Sequence, residues 1–109
     1  MWNRKDPREK KNFQVVLRDG DTTHNAIVTD ISRTGMSIKI GHVFPTYKVI
    51  DVLVKIKGQP VQLKASVRWI NECGVEGEAK LYEIGLLLPN PPPEYTRNFD
   101  KRQQTEKPG

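Results

Sequence analysis

Along residues 60–70, "PVQLKASVRWI", Val61, Leu63, Ala65, Val67 and Trp69 alternate with Gln62, Lys64, Ser66 and Arg68. Period two of this kind marks a strand with one face in a core and the other in water, and it assigns Trp69 to the inward face. "VIDVLVKIK" repeats the pattern with Ile50, Val52, Val54 and Ile56 inward, "GMSIKI" with Met36, Ile38 and Ile40, and "FQVVLR" with Phe13, Val15 and Leu17. "NAIVTDIS" and "KLYEIGLLL" are apolar on both faces, so periodicity leaves their inward registers open. Turn residues separate these runs: "RDGD" at 18–21, "SRTG" at 32–35, "KGQP" at 57–60 and "NECGVEG" at 71–77. Six closely spaced strands without an intervening helical period predict an all-β fold, a six-stranded antiparallel β-barrel whose closure hides the strand edges.

The C-terminal part reads differently. After "PNPPP", the segment "EYTRNFDKRQQ" sets Tyr95 and Phe99 four residues apart among good helix formers, and Pro93 suits a first helical turn. A short helix from about residue 93 is predicted, with both aromatics docked on the barrel. The chain thus divides into a flexible basic arm over residues 1–12, the barrel with its helix over 13–100, and a tail over 101–109.

Length and composition narrow the functional classes. One domain with one modest core is what 109 residues allow. A single cysteine, Cys73, rules out a disulfide framework and a cysteine-based metal site and favours a reducing, cytoplasmic setting. The first residues, "MWNRKDPREKK", lack the apolar core of a signal peptide, and "IGLLLP" is far short of a membrane span, so no membrane insertion is expected. His24 and His42 stand apart in the sequence and are expected on surface loops, outside any metal site. No Ser/His/Asp set, paired carboxylates or phosphate-cradling lysine loop is present, so no catalytic residue is assigned and an enzyme is not expected.

Charge gains meaning from its location. The net charge of +5 resides in the ends, +3 over residues 1–12 and +2 over residues 97–109, and the middle is neutral. A polyanion binder would more often spread positive charge over a folded face.

Two stretches carry candidate chemistry. "RKDPREKK", residues 4–11, holds Arg4 and Arg8 four positions apart with no apolar residue between them. "TDISRTG", residues 29–35, places Asp30 and Ser32 two strand positions apart and therefore on one face, with Gly35 allowing the backbone a positive φ at the turn. A carboxylate and a hydroxyl can accept from the N1–H and N2–H₂ edge of guanine, and turn amides can donate to a phosphate. Arginines supply the complement, a fork onto guanine O6 and N7 or onto phosphate oxygens. Between them the two stretches hold what a guanine nucleotide needs.

Arg4 and Arg8 match RxxxR, and Asp30, Ser32 and Gly35 match [D/N]xSxxG, with 21 residues between the motifs. In this the chain resembles the PilZ domain family. "ASVRWI" is similar to the late family strand that carries Val-x-Trp, and "YEIGLLL" to its closing strand, with Leu88 where the family tends to have Phe. The resemblance runs from Arg4 to about residue 100 and implies a receptor for cyclic di-GMP, a ligand rather than a cofactor. It implies Arg4, Arg8, Asp30, Ser32 and Gly35 as the binding residues, with Lys5 and Arg33 as further candidates, and a downstream protein partner. Fixing the arm from Arg4 to Glu9 would cost on the order of 6–12 kcal/mol of backbone entropy, which charge-assisted hydrogen bonds at about 1.5–3 kcal/mol each must exceed; affinity near the micromolar range follows. Two other readings stand beside it: a small basic barrel that binds RNA or DNA, disfavoured by the neutral middle and the inward aromatics, and an adapter that keeps the barrel for protein contacts alone.

Overall fold

The computed structural model describes the backbone of residues 9–106 and the side chains of residues 13–99. Among these residues six strands precede one helix: β1 Glu9–Asp19, β2 Thr22–Ser32, β3 Gly35–Ile40, β4 Val49–Ile56, β5 Gln59–Glu76, β6 Ala79–Leu87 and α1 Pro93–Glu106. Every pairing is antiparallel, and the sheet closes in the order β1-β2-β3-β6-β5-β4. Closure depends on a short seam between β1 and β4, Val16 opposite Leu53 through Arg18 opposite Asp51.

The alternating residues fill the barrel as the period-two pattern requires. Val15, Leu17, Met36, Ile38, Ile40, Ile50, Val52, Val54, Leu63, Ala65 and Val67 are buried, and Ala26, Val28, Ile84, Leu86 and Leu88 settle the two registers that the pattern left open. Each fully buried Val, Leu or Ile contributes about 1.5–3 kcal/mol, so the core outweighs any surface ion pair. Tyr95 closes one end from α1, with Phe99 packed 5.2 Å from it between ring centroids, and Phe44 is buried in the β3–β4 connection.

Three boundaries differ from the sequence expectation. β1 begins at Glu9, not Phe13, because Glu9 and Lys10 continue the ladder opposite Ile31 and Asp30. β5 runs through "NECGVE" to Glu76, and the reversal is confined to Gly77 and Glu78, with Gly77 at φ 64°; polar, glycine-flanked sequence reads as loop although here it forms an exposed hairpin arm. The helix extends to Glu106, past the expected boundary at residue 100.

Register shifts determine what the outer face presents. On β2 two residues, Thr29 and Asp30, pass one step of β3, since Val28 pairs with Ile38 and Asp30 with Ser37. On β5 Arg68 is the extra residue, since Val67 pairs with Leu86 and Trp69 with Gly85. On β1 a third shift lies between Lys10 and Phe13, against Asp30 and Val28 of β2. A bulge of this kind inverts the in-out alternation beyond it. Ala26 and Val28 point inward, and uninterrupted alternation would drive Asp30 into the core; the bulge turns it out. The Thr29 hydroxyl donates to the Ser37 carbonyl at 3.2 Å, which gives a partner to an acceptor at the point where the ladder is interrupted.

Candidate functional site

Past the bulges, one row of directly opposed residues crosses four neighbouring strands on the outside of the barrel. Asp30 of β2 faces Ser37 of β3, Ser37 faces Gly85 of β6, and Gly85 faces Trp69 of β5. At about 4.8 Å between strands, the row spans about 14 Å. On its other side Asp30 faces Lys10 of β1.

The assignment of Trp69 to the core is therefore corrected. The bulge at Arg68 moves it to the outer face, where its indole lies across Gly85; a methyl group at residue 85 would overlap the ring at Cε2 and Nε1. Glycine is needed there for that close approach. Ser37 belongs to the same face and is nevertheless only 1% exposed.

Asp30 and Ser32 share the outer face, as their spacing requires, with no register shift between them; Asp30 is half-buried and Ser32 is 3% exposed. Ser32 and Gly35 pair across the two-residue turn of Arg33 and Thr34. Gly35 opens β3 and does not use the positive φ that glycine allows; Gly20, Gly58 and Gly77 do. The chain reverses over Arg33 and Thr34, so Gly35 is already extended strand. The turn is held from the barrel end: Tyr95 Oη donates to the Ser32 carbonyl at 2.6 Å and lies 3.4 Å from that of Gly35, and the Leu88 N–H donates to the Thr34 carbonyl at 2.8 Å. Arg33 is exposed beside this fixed frame. Arg4, Lys5 and Arg8 lie outside the described residues.

Trp69, Ser37, Gly85 and Tyr95 were absent from the sequence-derived site. The Val-x-Trp and the glycine of "YEIGLLL" were visible, but only the bulge and the strand order bring them into one row with Asp30. His24 and His42, expected as separate loop residues, stack on one another with centroids 4.0 Å apart and meet Phe44 edge-on, 4.7 Å from His42; His24 belongs to β2 and only His42 to a loop. Among the described residues no group of three or more His, Cys, Asp or Glu side chains could hold a metal ion.

The fold has counterparts among solved structures. The chain superimposes on the Bacillus subtilis inhibitor of motility, MotI/DgrA, with a TM-score of 0.70 at 15% identity over 98% of this chain and 53% of that one. It superimposes on the PilZ domain with c-di-GMP of YcgR from Escherichia coli with a TM-score of 0.70 at 16% identity, over 97% of this chain and 99% of that one. The MrkH–c-di-GMP complex of K. pneumonia gives a TM-score of 0.69 at 13% identity over 96% of this chain and 52% of that one. The chain thus spans about half the length of MotI and MrkH and nearly the whole of the YcgR domain. A search of curated protein sequences found no match. The PilZ domain model matches residues 3–98, and with its strand order and outer-face motif the chain belongs to the PilZ domain family.

Proposed function

We propose that this protein is a receptor for cyclic di-GMP, which it binds on the outer face through Arg4, Arg8, Asp30, Ser32 and Gly35, and that it carries out no catalysis. One observation carries the reading: β1 starts with Glu9 opposite Ile31 and Lys10 opposite Asp30. Residue 8 is one peptide, about 3.8 Å, before Glu9, and Arg4 is within about 14 Å of Arg8 even on an extended chain. Two motifs 21 residues apart in sequence are thereby tethered to the same end of the same ladder. The family membership supports the same ligand, as does the c-di-GMP in the YcgR and MrkH structures.

In this reading the arginines grip guanine edges and phosphates, with Lys5 and Arg33 adding charge toward the phosphates. Asp30 accepts from a guanine N–H edge or orients an arginine. Ser32 and the Arg33–Thr34 turn sit beside phosphate and ribose, on a frame that Tyr95 keeps rigid, and rigidity lowers the ordering cost of binding. Trp69 offers a π face for a base. The dianionic ligand draws the arm over residues 1–8 across this face, and the surface so made is what a protein partner reads. No helix among the described residues is long and apolar enough to cross a membrane; we place the receptor in the cytoplasm.

Calorimetry tests this. Wild-type protein should bind cyclic di-GMP near the micromolar range and prefer it over GMP and GTP. Arg4→Ala/Arg8→Ala should weaken binding at least a hundredfold and Asp30→Ala at least tenfold. Undiminished binding in the double variant would overturn the assignment of the arm. A steep, sequence-tolerant salt dependence of RNA or DNA binding, with no response to the dinucleotide, would instead establish a nucleic-acid-binding barrel.

A further inference from the structure

The outer row does not end at Trp69. The preceding residue, Arg68, is the bulged one, and at a bulge two consecutive residues oppose a single partner, here Gly85. Arg68 is exposed, its guanidinium carbon lies 5.1 Å from the centroid of the Tyr47 ring, and it forms no ion pair among the described residues. A cation over an aromatic face is held by the ring quadrupole while its N–H groups remain able to donate.

Tyr47 is placed for this at a cost. The Lys48 N–H donates to the Pro45 carbonyl at 3.1 Å and Tyr47 has φ 72°, which puts it at the third position of a turn where glycine is the usual occupant. A bulky side chain in that conformation is strained, and this one is 67% exposed, so burial gives nothing in return. The loop is clamped to β5 next to the bulge: Tyr47 N–H donates to the Val67 carbonyl at 2.6 Å and Val67 N–H to the Lys48 carbonyl at 3.0 Å. An outlier held this firmly, with its ring under an uncompensated arginine, points to use of that arginine.

We infer that Arg68, positioned by Tyr47, reads the O6/N7 edge of a guanine base lying beyond Trp69, at the opposite end of the row from Asp30. The inference rests on the cyclic di-GMP reading and deepens it, making Arg68 a determinant of guanine over adenine. Arginine suits that edge because its fork matches two acceptors, whereas adenine presents one acceptor and one donor there. The base belongs either to the far half of the bound molecule or to a second molecule stacked on it, and the binding stoichiometry tells these apart.

The test is calorimetry of the full chain with cyclic di-GMP and cyclic di-AMP, on wild type, Arg68→Ala, Tyr47→Ala and Tyr47→Phe. Arg68→Ala should weaken cyclic di-GMP about tenfold and change cyclic di-AMP less than twofold. Tyr47→Ala should weaken cyclic di-GMP several-fold and Tyr47→Phe should restore it, with melting temperatures unchanged for Arg68→Ala and Tyr47→Phe. A fall in stoichiometry from two to one in Arg68→Ala, with the remaining affinity intact, assigns the base to a second molecule. Arg68→Ala binding within twofold of wild type at unchanged stoichiometry overturns the inference and leaves the receptor reading standing. Equal weakening of both dinucleotides also overturns it, making Arg68 a contact to phosphate. Absence of wild-type binding removes the receptor reading itself.

Discussion

Tyr95 Oη donates a 2.6 Å hydrogen bond to the Ser32 carbonyl, across 63 residues of sequence. The phenol is 2% exposed and lies 3.4 Å from the Gly35 carbonyl as well, so one hydroxyl of α1 bridges the two ends of the turn that carries the second motif. A buried carbonyl deprived of its donor costs about 1–3 kcal/mol. Tyr95→Phe should therefore lower stability in urea by about 1–2 kcal/mol while the aromatic packing on Phe99 persists. It should also weaken cyclic di-GMP about three- to tenfold, through loosening of the Ser32–Gly35 hairpin. Lost stability with unchanged affinity would show that α1 braces the barrel without setting the site.

Gly85 and Trp69 form the second tight relationship. A methyl on residue 85 cannot coexist with the indole where it lies, and the neighbouring Ile84 and Leu86 are fixed in the core. The ring has to leave the face. Gly85→Ala should shift Trp69 emission toward that of exposed indole, read in a Trp2→Phe background, and destabilise the protein by about 1–3 kcal/mol. An unchanged spectrum would mean that the indole is not seated on Gly85.

Among the described residues, acid stability has one identifiable contributor on the barrel seam. The hydrogen bond from Lys64, whose Nζ is 2.9 Å from Asp51 Oδ1, together with its charge and a hydrogen bond from Gln62, holds the Asp51 carboxyl below the usual carboxylate range despite some desolvation. A lowered native pKa means that the ionised form stabilises the fold above the unfolded carboxylate pKa of about 3.9, and that this contribution disappears as pH falls through the native value. The pair is close to solvent, so its worth is at most about 0.5 kcal/mol. Asp51→Asn should be slightly less stable than wild type at pH 7, and the difference should shrink as pH falls below about 4 in parallel urea titrations. A constant difference across that range would assign the effect to packing.

The strands were legible because Val61, Leu63, Ala65 and Val67, and their counterparts on β1, β3 and β4, follow period two without interruption. Periodicity failed where a residue was inserted. Counting from Val67 assigns Trp69 to the core, and only the pairing of Trp69 with Gly85 reveals that Arg68 is surplus. The same count from Ala26 and Val28 would bury Asp30. The spacing of Asp30 and Ser32 placed them on one face of the strand, and only the register shift between Val28 and Asp30 makes that face the outer one. The row from Asp30 to Trp69 depends on β6 lying between β3 and β5, and local sequence holds no record of strand order. The hairpin arm at residues 71–76 was missed for a different reason: exposed on both faces, it has no apolar alternation to detect.

The central claim is that the Asp30–Gly35 hairpin and the row leading to Trp69 form one ligand face with the N-terminal arm. Its most direct test is a titration of isotope-labelled protein with cyclic di-GMP, following backbone amides and the indole N–H groups. The account predicts saturable shifts at residues 4–10 and 30–35 and at the Trp69 indole, with Gly74–Glu78 at the hairpin tip unmoved. Resonances in those segments that stay in place at millimolar ligand, or shifts confined to the hairpin tip, would contradict it.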